Sequence, residues 1–115
     1  MKEQVLAIIE KQKSKLFLDR FWFEVSDKVT TKDAAAELMF RYPYLDACIN
    51  YNEESLAKET PEGLERTIVH EMCHIITDPF YAKACNRFAS QDEIKDEREL
   101  LTDYITNLYL KNLKK

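Results

Sequence analysis

Both histidines of this 115-residue chain lie in one short stretch, His70-Glu71-Met72-Cys73-His74, with H-E-x-x-H spacing. Residues i and i+4 stand one above the other on an α-helix, so both imidazoles can turn toward one metal ion. The glutamate after the first histidine then projects beside that ion. With Zn²⁺ as the metal, this is the chemistry of metal-assisted hydrolysis. The ion lowers the pKa of a bound water, and the Glu71 carboxylate takes the water's proton and passes it to a leaving amine. Helix phase agrees, because Leu64, Ile68, Met72, Ile75 and Ile76 mark one apolar side while His70 and His74 fall on the other. One side is expected in the core and the other in a cleft. A closed structural zinc site would complete four protein ligands and usually draws on cysteine.

Several elements must position this helix. Thr60-Pro61 reads as an N-cap followed by proline at the first helical position, which predicts a helix from there to about Thr77, stopped by Pro79. Asp78 then reads first as the helix end, although its spacing of four from His74 also suits a carboxylate that orients that histidine. Residues 78–89 are expected to form a loop. Ser90-Gln-Asp-Glu93 is a capping box that opens a last helix running to about Leu113. Upstream, residues 3–17 have helical periodicity, and residues 20–26 alternate as a strand with Phe21, Phe23 and Val25 on one face. Residues 34–42 fit both helix propensity and strand alternation and are read as a strand. A turn at Tyr42-Pro43-Tyr44-Leu45 leads to a short strand at 47–51, giving a hairpin whose polar second member suits a sheet edge.

Composition narrows the classes. The chain has 17 Lys+Arg and 21 Asp+Glu, so the net charge is −4. Apart from the residues from Lys111 to Lys115 it has no basic block, which argues against a nucleic-acid partner. No stretch approaches 18 apolar residues and no secretory signal is evident, so a soluble cytoplasmic protein in one domain, 1–115, is expected, with no membrane partner. Cys48, Cys73 and Cys85 are odd in number without C-x-x-C spacing and are read as reduced thiols, with Cys73 a small core residue. Tyr81 and Tyr104 are read as packing residues rather than oxyanion donors.

The motif with a long helix downstream resembles the zincin metallopeptidases. Among them it is most similar to the gluzincins, and specifically to small single-domain gluzincin-like proteins of prokaryotes and their phages. The resemblance spans about Arg20 through the last helix. It implies an α+β, zincin-like fold in which a small mixed sheet of about three strands packs on a metal-binding helix and a C-terminal glutamate helix. It also implies one Zn²⁺ held by His70, His74 and a glutamate of the last helix, with water as fourth ligand. That helix offers Glu93, Glu97 and Glu99. Its inward stripe is Ile94, Leu101, Tyr104, Ile105 and Leu108, and Glu97 falls close to the centre of it, where a carboxylate is costly unless paired or metal-bound. Glu97 is therefore the first choice. Glu99 with Asp103 resembles the E-x-x-x-D arrangement of thermolysin-like enzymes and ranks second, and Glu93, needed for the cap, ranks third.

Two related patterns fit less well. A metzincin-like third ligand would fall at Phe80, and the accompanying glycine at Thr77. Peptide deformylases share H-E-x-x-H with an upstream cysteine ligand, but no glycine-rich or E-x-C-L context surrounds Cys48. The gluzincin resemblance implies hydrolysis of a peptide bond, with Glu71 as the base and a peptide or unfolded protein as substrate pairing with the strand at Ala47 to Tyr51. So small a domain leaves little surface for specificity, which implies loose recognition or help from a homo-oligomer. The alternative is a catalytically silent or narrowly regulatory zincin-like module that binds a protein partner through the strand edge.

Overall fold

The computed structural model describes residues 1–31, 33–41, 44–85 and 89–113. Helix α1 covers Lys2–Lys13 and buries Val5 and Ile9. The sequence places its end at residue 17, but the regular helix stops earlier and closes through a tight last turn. Phe17 takes φ 59°, Phe17 N–H donates to Ser14 O, and Leu18 N–H donates to Lys13 O at 2.7 Å. This is the Schellman closure, with a phenylalanine in the left-handed position that usually takes glycine. The following residue, Leu18, is fully buried.

Strands β1 (Trp22–Ser26), β2 (Ala36–Phe40) and β3 (Asp46–Tyr51) form one mixed sheet in the order β1-β3-β2. The strand reading of residues 34–42 holds over β2. The β2–β3 pair is antiparallel, as a hairpin requires, and β1 runs parallel to β3. Tyr42 and Pro43, half of the expected turn, lie outside the described residues. Register aligns Phe23, Ala47 and Phe40 in one row and Val25, Ile49 and Leu38 in the next, and these rows face the core.

One expectation is overturned: β3 is the central strand, not an edge. Its polar residues led to the edge assignment, and the structure shows how they are accommodated. Cys48 Sγ donates to Asn50 Oδ1 at 3.3 Å, and Asn50 Nδ2 donates to Glu37 Oε1 at 3.3 Å. Ala47, Ile49 and Tyr51 meanwhile fill the core side. Glu37 also gathers the segment that leads into β2, accepting from the backbone N–H and hydroxyl of both Thr30 and Thr31.

A short helix, α2 (Glu53–Ala57), was not anticipated from the sequence; Asn52 caps it by accepting from Ser55 N–H at 3.0 Å. Helix α3 spans Pro61–Cys85. Its start follows the sequence reading, with Thr60 Oγ1 accepting from Gly63 N–H at 3.0 Å. Its end does not, because the helix runs through Pro79 and occupies most of the expected loop. Proline deprives the Ile75 carbonyl of its donor. The cost is offset by packing: Leu64, Ile68, Met72, Ile75, Ile76 and Pro79 form one continuous buried stripe, and α3 lies against α1, β2 and the last helix.

That last helix, α4 (Gln91–Leu113), begins at the expected capping box, with Glu93 N–H donating to Ser90 Oγ at 3.1 Å and Ser90 N–H to Glu93 Oε1 at 3.3 Å. Lys83 pairs with Glu93 at 3.2 Å at one end, and at the other Lys111 donates to Ser14 Oγ at 3.1 Å and sits 4.5 Å over the Phe17 ring. These ties make α4 run back antiparallel along α3. Glu97 is buried on its inner side, and Leu101, Tyr104 and Leu108 are half-buried. Ile94 and Ile105, expected in the same stripe, stay exposed at its margins because α4 packs mainly on one neighbour. Among the described residues no helix is long and apolar enough to cross a membrane.

Candidate metal centre

Half-way along α3 the buried stripe fixes the helix by Ile68, Met72 and Ile75, each no more than 2% exposed. This rotation turns His70, Glu71 and His74 outward together. Their ligand-type atoms all lie within 4.8 Å of one another, the one such cluster of three among the described residues. His70 Nε2 and His74 Nε2 are 3.2 Å apart, and the rings meet nearly edge to face. Two nitrogens bound tetrahedrally at the usual Zn–N distance of about 2.0–2.1 Å would lie about 3.3 Å apart. The pair therefore fits a shared tetrahedral metal ion.

Asp78 completes the arrangement from behind. Its Oδ1 lies 2.9 Å from His74 Nδ1. A carboxylate accepts from an imidazole N–H, so Nδ1 is the nitrogen engaged by Asp78 and Nε2 is the one that faces His70. The sequence offered the signal, a spacing of four from His74, but reading Pro79 as a helix stop obscured it. Because α3 continues, Asp78 lies on the same helical face as His74.

Glu71 is partly buried, and that burial pushes its carboxyl pKa up. His74 and His70 oppose the shift, whereas Asp78 and Glu37 add to it. A raised carboxyl is the direction expected of a general base working near neutral pH. Glu37 itself is held at about 2, chiefly by hydrogen bonds from the Thr31 side chain and the Thr30 backbone.

Glu97 is buried, the one acidic or basic residue among the described residues that is, yet it lies outside the cluster of His70, Glu71 and His74. Glu93 serves the α4 cap and Lys83, and Glu99 is exposed and pairs with Arg98 at 3.5 Å. Cys73 is half-buried, and burial raises its thiol pKa. Cys48 lines a cavity of about 420 Å³ on the outer face of the sheet with Trp22, Glu24 and Met39; it is not a member of the histidine cluster, and neither histidine lines that cavity. Tyr81, expected to pack, is 69% exposed. The geometry supports metal binding by two histidines with an adjacent carboxylate. Comparison with protein-family models, with curated proteins and with solved structures returned no match.

Proposed function

We propose that this chain is a zinc-dependent metallopeptidase with a zincin-like, gluzincin-type arrangement. The observation that carries the reading is the His70–His74 pair, with Nε2 atoms 3.2 Å apart and Glu71 beside them. His70 and His74 would supply two ligands. Glu97 is proposed as the third because it is the buried acidic residue of α4, the helix that packs on α3. A bound Zn²⁺ would act as a Lewis acid toward the scissile carbonyl and toward water. Glu71 takes a proton from the attacking water and delivers it to the departing nitrogen. Asp78 keeps His74 in the tautomer that presents Nε2.

An extended peptide substrate would add to the sheet at β2. The central position of β3 removes it from this role, and β2 is the edge strand that packs on α3. The three cysteines without a disulfide suit the proposed reducing, cytoplasmic setting. A second reading, a metal-loaded module without turnover, is favoured by one observation, that Glu97 stands outside the cluster. Metal analysis of the purified protein, followed by incubation with an unstructured protein such as casein, separates the two. One zinc per chain with cleavage supports the peptidase; one zinc per chain without cleavage of any peptide supports the silent module.

A further inference from the structure

Arg66 lies one turn before His70 and lines a hollow of about 210 Å³ with Thr67, His70 and Glu71. It is exposed, and among the described residues it has no ion pair, although Glu62 and Glu65 are near in sequence. The Glu65 carboxylate is instead taken by Lys11 and Gln12 of α1. A guanidinium beside the proposed base is thus left with its donors available. At the other end of the motif, Leu38, Met39 and Phe40 of β2 share a second hollow, of about 290 Å³, with Asp78, Pro79 and Ala82 of α3.

β2 starts beside Tyr51, from which the chain leads through α2 into the start of α3, and its end meets residues 78–82, so β2 runs along α3 in the same direction. A chain paired with the free edge of β2 therefore passes from the Arg66 hollow, past Glu71, to the apolar hollow. Thirteen residues of helix, about 20 Å, separate Arg66 from Pro79, which corresponds to about six residues of extended chain. From this we infer that the cleft selects peptides carrying an anionic group, held by Arg66, about six residues from an apolar side chain held between β2 and the Pro79–Ala82 turn. A guanidinium suits a carboxylate bidentately, so the anion is an Asp or Glu side chain or a chain-terminal carboxylate. This rests on the peptidase reading for its choice of ligand, but its physical content is binding.

The test uses the full-length, zinc-loaded Glu71→Gln protein, in which binding is read without turnover. Labelled peptides carry a leucine and, six residues away, either glutamate or lysine, in both chain directions. At low ionic strength, where an exposed charge is least screened, the glutamate peptide is expected to bind at least tenfold tighter by fluorescence anisotropy. Adding Arg66→Glu should invert that order and Arg66→Gln should abolish it. Ala82→Phe should weaken both leucine peptides several-fold without changing their ratio. Arg66 and Ala82 are both exposed, so unchanged thermal unfolding is expected and checks each fold. A glutamate-to-lysine ratio that Arg66→Glu leaves unchanged overturns the anionic anchor, and binding unaffected by Ala82→Phe overturns the apolar one. If discrimination is present but the wild type cleaves none of these peptides, the peptidase reading fails and the binding inference stands.

Discussion

Asp78 Oδ1 lies 2.9 Å from Nδ1 of His74 and thereby fixes which nitrogen of that ring faces His70. The contact exists because α3 does not stop at Pro79, so a helix extension and a ligand orientation have one cause. Removing the carboxylate frees the ring to rotate and to shift its tautomer. Asp78→Ala is expected to lower zinc affinity 10–100-fold, with a smaller loss for Asp78→Asn, which keeps an acceptor. Titration against a competing chelator measures this, and circular dichroism should show helix content unchanged.

The parts of this arrangement legible in the sequence were those with local causes. Thr60-Pro61 and Ser90 to Glu93 act within one turn, and both helices start where these residues place them. The phase of Ile68, Met72 and Ile75 against His70 and His74 is also local. It gave the orientation of the metal face, and on α4 phase gave the burial of Glu97. What was missed depends on tertiary contacts. Pro79 is carried through the helix by burial with Ile75 and Ile76, and β3 became central because its polar side chains are satisfied by Asn50 and Glu37 across the outer face. No windowed pattern reports either.

Ile68 lies on α3 just before the motif and is fully buried in the core cluster. Ile68→Ala removes that packing and leaves a cavity, and is expected to destabilise the fold by about 2–5 kcal/mol. Urea unfolding measures it, with the histidines themselves untouched.

Glu37 titrates at about 2 in the folded protein, below its ordinary value of 4.5, because Thr31, Thr30 and Asn50 donate to its ionised form. A depressed carboxyl stabilises the fold fully above its unfolded pKa and loses that contribution as pH falls. The Glu37 contribution is therefore expected to be intact above about pH 4.5 and to fade between there and about pH 2. Glu37→Gln should be less stable than the parent at neutral pH, and the difference should shrink on acidification through this window. Thermal unfolding of both proteins across pH 2–7 checks the sign.

The third ligand is separable by substitution on α4. Glu97→Ala is expected to cost zinc affinity, whereas Glu99→Ala, at an exposed residue that pairs with Arg98, should bind zinc as the parent does. Chelator competition on the two variants decides it, and the reverse result would move the ligand to Glu99.

Glu71 is proposed as the base beside a metal held by His70 and His74. Replacing Glu71 with glutamine keeps the side chain's shape and removes its ability to take a proton. Zinc content and peptide hydrolysis of Glu71→Gln, measured together on the same preparation, test this directly. The expected result is one zinc per chain, as in the parent, with hydrolysis reduced at least 100-fold. A variant that cleaves as fast as the parent would contradict it.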